Sequence, residues 1–390
     1  MKVKALGFAL CGALLFSPGV LWAAFSVNGT QLLDGHGEPF IMRGINYPHA
    51  WYADETNTAI PDIAATGANV VRVVLSNGTN AEGWTKTPAA EVENIIDLSK
   101  QNNLIVMLEV HDVTGSGDNA NAGEFDDAVA YWLEIQEVLA GEEDYVLINI
   151  ANEPFGNSVD AAMWTDKHIE AIGALRDAGF THTIVVDGAN WGQDWSNTMS
   201  NNASTVFQAD PLSNTIFSVH MYEVYGEQTT IEDYVDGFLA DHNVPLIVGE
   251  FGPIHNADDV DEDTILAHAE ATGIGYIGWS WSGNGPCCVD LDIVDDFDPN
   301  SLTAWGERLI NGANGIAETS VAASIFGGVV TPTPTPEPTP TPAPTQAPTE
   351  VTAPGANGGG SSDLFWLMAM LSLMAVSIRR RTIHPRRHES

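Results

Sequence analysis

The run Leu147-Ile-Asn-Ile-Ala-Asn-Glu-Pro-Phe155 constrains the fold of this chain more than any other stretch. Its largely apolar character reads as a strand buried on both faces, the kind found in parallel sheets. Pro154 has no N–H to give to a ladder, so the strand stops there and leaves Glu153 at its C-terminal rim. A second run of the same design, Val244-Pro-Leu-Ile-Val-Gly-Glu-Phe-Gly252, ends in Glu250 and then glycine. Two acids on two strand ends suggest a pair.

Six further strand patterns join these two. In chain order the eight are Phe40 to Asn46, Asn69 to Leu75, Leu104 to Glu109, Tyr145 to Ile150, Thr183 to Asp187, Thr215 to His220, Pro245 to Gly249 and Ile274 to Trp279. Helical patterns lie between most of them, clearest at Pro88 to Asn102, Phe125 to Leu139, Ala161 to Ala178, Ile231 to Asp241 and Ala257 to Thr272. This alternation predicts an α/β fold of the (β/α)8 TIM barrel class. A doubly wound open sheet competes, but Arg43-Gly-Ile-Asn-Tyr-Pro stands where its Gly-x-Gly-x-x-Gly turn would follow the first strand.

A barrel places its chemistry at the C-terminal strand ends. Polar or aromatic residues accumulate there: Asn46 and His49, Arg72, His111 and Asp112, Asn152 and Glu153, His220 and Tyr222, Glu250, and Trp279. A rim carboxylate pair can hydrolyse a glycosidic bond, one acid protonating the leaving oxygen while the other attacks the anomeric carbon or activates water. A gap of about 5 Å implies retention, and roughly 6.5 to 9.5 Å implies inversion. His111 and His220 could be read as zinc ligands. With no second histidine at helical spacing and no cysteine partner, a hydrogen-bonding role is expected and neither metal nor cofactor is.

Residues 1–24 read as a secretory signal peptide, with Lys2 and Lys4, an apolar stretch from Ala5 to Phe16, and small residues before the cut. The catalytic barrel is expected over 25–322 and a Thr/Pro-rich extended linker over 323–357. Residues 358–390 carry glycines, the apolar run Leu364 to Ile378 and Arg379-Arg-Arg381. That run is shorter than the about 20 residues a spanning helix needs, and the tail is similar to sorting tails that an intramembrane protease removes in some Gram-negative bacteria. The expectation is therefore an exported monomer, secreted or displayed on the cell surface, touching membrane only through this tail. Against 52 Asp+Glu stand 14 Lys+Arg, seven of them in the terminal segments (Lys2, Lys4, Arg379, Arg380, Arg381, Arg386, Arg387). So acidic a surface repels phosphate backbones and excludes nucleic acid as a partner.

Asn152-Glu153-Pro154, His220-Met-Tyr222, Gly249-Glu250-Phe251-Gly252 and Gly278-Trp279-Ser-Trp281 together resemble glycoside hydrolase family 5. The bacterial endo-β-1,4-mannanases are most similar, in Asn190-Trp-Gly-Gln-Asp-Trp195, Trp279-Ser-Trp-Ser-Gly-Asn284 and Phe297-Asp-Pro-Asn-Ser-Leu-Thr-Ala-Trp-Gly-Glu-Arg308. The resemblance implies a retaining hydrolase of β-mannan with Glu153 as acid and base and Glu250 as nucleophile; the alternatives are a β-1,4-glucanase on the same scaffold and a non-catalytic polysaccharide-binding surface protein. Arg72 and Tyr222 would keep Glu250 ionised, while the Glu250 charge and partial burial would raise Glu153. Asn152 would hold the sugar 2-hydroxyl and Trp279 would floor the central subsite.

Trp51, Trp191, Trp195 and Trp281 are candidate sugar-stacking residues of the rim, whereas Trp132, Trp164 and Trp305 fall in helical patterns and should pack in the core. One departure from the mannanases is Cys287-Cys288, where small residues are usual. An oxidising exterior allows a vicinal disulfide, two thiols or an intermolecular bridge. The vicinal disulfide is favoured because it closes the shortest loop.

Overall fold

The computed structural model describes residues 24–286 and 288–327. The expectations for the signal peptide, most of the linker, the tail and Cys287 lie outside these residues. The chain opens with a hairpin, β1 (Ser26–Asn28) and β2 (Gln31–Leu33). Eight parallel strands then close into a barrel: β3 (Arg43–Tyr47), β4 (Val70–Leu75), β5 (Ile105–Val110), β6 (Val146–Asn149), β7 (Ile184–Asp187), β8 (Thr215–Met221), β9 (Leu246–Phe251) and β12 (Gly275–Gly278). Between the last two lies a small hairpin, β10 (Ile254–His255) with β11 (Asp258–Asp259). The (β/α)8 expectation is met.

Period-two alternation sorts every strand residue onto one of two faces. Val71, Val73 and Leu75 of β4 join the large outer cluster beneath the helices, together with Val106, Leu108, Ile148, Val186 and Phe217. The inward set is layered. At the N-terminal end Val70, Ile105, Leu147, Val185, Ile216, Ile247 and Ile277 form an apolar plug, sealed by Phe25, Leu32, Phe40 and Ala323. One step up, the same faces carry Arg72, Asn149, Asp187 and Ser218, all buried. The interior therefore changes from hydrocarbon to hydrogen-bonding groups along the barrel axis, and the reactive end is the polar one.

Among the described residues the α-helices are α1 (Thr56–Ala65), α2 (Ala89–Gln101), α3 (Phe125–Glu134), α4 (Gln136–Leu139), α5 (Ala161–Asp177), α6 (Thr198–Ala209), α7 (Gln228–His242), α8 (Glu262–Thr272), α9 (Ala304–Asn311) and α10 (Ile316–Thr319). Several differ from the sequence reading. Helix α8 starts at Glu262 rather than 257, where Asp261 caps it by accepting from the Thr264 N–H. The expected helix 125–139 breaks at Ile135 into α3 and α4. Helix α6 escaped notice because its Thr, Ser and Asn content gives weak propensity. Asp194 organises its start, accepting from the N–H groups of Met199 (2.7 Å) and Ser200 (2.9 Å). Packing also continues past residue 322: Ser324 is buried, and its N–H donates to Asp34 Oδ2 at 2.7 Å.

Candidate active site

At the C-terminal end of the barrel a cleft of about 650 Å³ is lined by His111, Asn152, Glu153, Trp191, Tyr222, Glu250 and Trp279. Seven of the nine expected site residues thus meet in one cavity. The other two, Arg72 and His220, are fully buried beneath it. His49 and Asp112 stand at strand ends without lining the cleft. His49 pairs with Thr56 Oγ1 (2.7 Å), and Asp112 accepts from the N–H groups of Asn77, Thr79 and Asn80.

Arg72 is the hub of the floor. Its Nη1 donates to Glu250 Oε1 (2.7 Å) and Asn46 Oδ1 (2.9 Å), its Nη2 to Asn152 Oδ1 (2.6 Å) and Asn149 Oδ1 (2.8 Å). Asp187 and Glu109 approach the same guanidinium at 3.5 and 3.9 Å. Tyr222 completes the hold on Glu250, donating its hydroxyl to Oε2 at 2.9 Å. A register shift at Val219/His220 brings Glu250 opposite His220 across β8 and β9. Gly249 permits a close approach here: a Cβ would sit 2.1 Å from Ser218 Oγ, which would have to move.

Glu153 follows β6 with a left-handed backbone, φ +38°. That conformation is costly for a non-glycine residue, and two bonds hold it: the Glu153 N–H donates to Asp187 Oδ2 (3.1 Å), and the carbonyl accepts from the Gly115 N–H (2.9 Å). Its carboxyl Oε1 lies 2.7 Å from His220 Nδ1. Glu153, His220 and Glu250 bring one atom each within 4.8 Å of one another. Such a trio could ligate a metal, but the close His220–Glu153 contact is already closed as a hydrogen bond.

Burial, followed by the charges of Glu250 and Asp187, raises the Glu153 carboxyl well above the usual range. Burial also pushes Glu250 up to about 6, with Arg72 and Tyr222 pulling the other way. Both partners act in the expected direction, and desolvation outweighs them. The ordering survives, because Glu153 has no guanidinium bond and stays the more basic carboxylate.

Asn152 is held on both sides, accepting from Arg72 and donating to Thr114 Oγ1 (3.0 Å). His111 pairs with Glu109 Oε1 (2.9 Å) and stacks on Trp279 with ring centroids 5.8 Å apart. Trp51 meets the same imidazole edge-on at 5.0 Å. Trp191 lies over Gly115, where any Cβ would fall 2.2 Å from the indole. Trp51 and Trp195 are exposed at 39% and 53%, as stacking platforms must be. Trp281 is not: it is wholly buried in the outer core, which removes it from the sugar-stacking set. Trp132, Trp164 and Trp305 are core residues as expected. Cys288 lines the cleft and is disulfide-bonded.

Asn149, Asp187 and Glu109 were not singled out from the sequence. The available signal was a polar residue at an inward position of an otherwise apolar strand.

A family model described as cellulase (glycosyl hydrolase family 5) matches residues 33–285. The chain is 52% identical over 328 residues to a mannan endo-1,4-beta-mannosidase of Cellvibrio japonicus (strain Ueda107), covering 84% of this chain and 75% of that protein. It is 48% identical to a mannan endo-1,4-beta-mannosidase of Streptomyces lividans, covering 84% of each. Among solved structures, the mannohexaose complex of the Thermomonospora fusca beta-mannanase superposes with a TM-score of 0.74 at 53% identity, covering 78% of this chain and all of that one.

Proposed function

The chain belongs to glycosyl hydrolase family 5, and on that premise we propose that it cleaves β-1,4-mannosidic bonds within mannan, glucomannan or galactomannan by retaining double displacement. Glu250 is the nucleophile and Glu153 the acid and base. The carrying observation is the spacing of the two carboxylates, whose oxygens come within 4.8 Å of each other. An inverting pair needs about 6.5 Å or more to admit water between acid and base. The substrate class rests on relatives 48% and 52% identical, both mannosidases.

In the first step Glu250 attacks the anomeric carbon as the glycosidic C–O bond breaks, and the Glu153 proton goes to the departing oxygen. In the second, ionised Glu153 takes a proton from water, whose oxygen displaces Glu250 and restores both carboxyl groups. Arg72 and Tyr222 hold Glu250 in line for attack. Asn152, fixed by Arg72 and Thr114, is placed for the 2-hydroxyl, which is axial in mannose, and Trp279 floors the reacting sugar. We extend the reading to an exported monomer, released or displayed through its C-terminal tail.

The pH dependence follows from the pair. Glu250 must be ionised, so kcat/KM falls as pH drops through about 6; Glu153 must be protonated, so it falls again at higher pH. Tyr222→Phe removes a donor to the Glu250 carboxylate and should shift the acid limb upward, as kcat/KM against pH will show. The substrate assignment is tested by reducing-sugar release from mannan, glucomannan and carboxymethyl cellulose. Mannan and glucomannan cleaved with cellulose untouched is expected, and equal cleavage of cellulose would make the protein a glucanase.

A further inference from the structure

The fifth barrel strand ends in Asp187, a carboxylate that neither touches the cleft nor has a role in the two steps above. It is wholly buried. Oδ1 accepts from Asn149 Nδ2 (2.9 Å), Oδ2 accepts from the Glu153 N–H (3.1 Å), and the same Oδ2 lies 3.4 Å from His220 Nε2. His220 therefore meets Asp187 at Nε2 and Glu153 at Nδ1, with Glu250 Oε2 farther from Nδ1 at 3.6 Å.

We propose that Asp187 is a positioning residue for the acid step: it pins the strained backbone of Glu153 and keeps the His220 proton on Nε2, leaving Nδ1 free only to accept from the Glu153 carboxyl. Counting protons leads to this assignment, given that Glu153 is the acid. Burial, reinforced by Arg72 and His111, drives the imidazole well below its usual range, so the ring carries one proton. Nε2 makes no hydrogen bond, and its charged neighbour is the Asp187 carboxylate. A lone pair on Nε2 would face that negative charge across a dry interior, whereas an N–H is attracted to it. With the proton on Nε2, Nδ1 has only a lone pair to offer. The Nδ1 to Oε1 contact of 2.7 Å then requires Glu153 to be the donor and hence protonated. A bond made only by the neutral acid raises its pKa, which is the state the first step begins from.

The charged and titratable groups around Asp187 and His220 come from five strands of the barrel: Arg72 of β4, Glu109 of β5, Glu153 after β6, His220 of β8 and, against His220, Glu250 of β9. Arg72 offsets part of the burial of Asp187, which is pushed up to about 6. Above that pH the residue is charged, so its influence belongs to the basic limb.

Asp187→Ala and the isosteric Asp187→Asn test this on the intact protein. The basic limb of kcat/KM should move down by about one unit, and kcat/KM on mannan on that limb should fall by up to about 10-fold. An aryl mannobioside with a 2,4-dinitrophenyl leaving group needs no proton, and its kcat/KM should stay within about threefold of the parent. Asp187→Asn carries the test if the alanine protein fails to fold. An unmoved basic limb, or equal losses on both substrates, overturns the inference. Glu153→Gln in the same assay separates the premise: if it spares the activated substrate and the Asp187 variants do not, only the role of Asp187 is lost, and if it harms both alike, Glu153 is not the acid.

Discussion

Glu250→Ala should leave a folded protein with mannan hydrolysis reduced by ~10⁵-fold or more, the scale seen when a covalent nucleophile is deleted. The size follows from the mechanism, because without Glu250 no glycosyl-enzyme can form and water alone must reach the anomeric carbon. The truncation opens space beneath the sugar next to the Arg72 guanidinium, which held Glu250 at 2.7 Å. A small anion suits that space. Azide added with an activated aryl mannobioside should attack the anomeric carbon, expel the phenolate and yield an α-glycosyl azide, inverted relative to the β-linked substrate. Product configuration read by NMR distinguishes a missing nucleophile from general damage. Parent-level hydrolysis by Glu250→Ala would remove the residue from the mechanism.

Arg72→Met is expected to cost about 3–5 kcal/mol of stability near pH 7, the penalty for stripping one partner from a buried ionic group. Arg72 is wholly buried and serves Glu250, Asp187 and Glu109, together with Asn46, Asn149 and Asn152. Its loss leaves several carboxylates in a dry layer with no cation, so they must bind protons to stay folded. Glu250 and Asp187, already raised to about 6 by burial, then rise further. A carboxyl whose folded pKa exceeds its unfolded one makes stability fall as pH rises between the two. The deficit of Arg72→Met should accordingly shrink toward pH 4.5 and be largest above pH 7. Urea midpoints at both pH values will measure it, and a deficit independent of pH would show that lost packing, not charge, is responsible.

The barrel was legible because strand burial is carried by contiguous residues: six apolar-rich positions such as Val70–Leu75 identify themselves without reference to anything distant. Glu153 and Glu250 were legible for the same reason, as carboxylates placed where such runs stop. Helix α6 was not, since a polar segment stabilised by Asp194 and by packing carries weak propensity of its own. Trp281 was misplaced because a tryptophan two residues beyond Trp279 at the rim looks alike in sequence whether it faces the cleft or the core, and only the register of β12 and the loop after it decides.

By itself, the amino-acid sequence determined the eight strands, their order and the two acids at their ends, since each depends on neighbours within a few positions. The tertiary structure alone decided what those acids are. Glu250 is held by a guanidinium 178 residues away, and Glu153 meets His220 through its carboxyl and Asp187 through its backbone, on the two strands that follow its own. Desolvation and Coulomb interactions act through space, and no local pattern records them until the chain has closed.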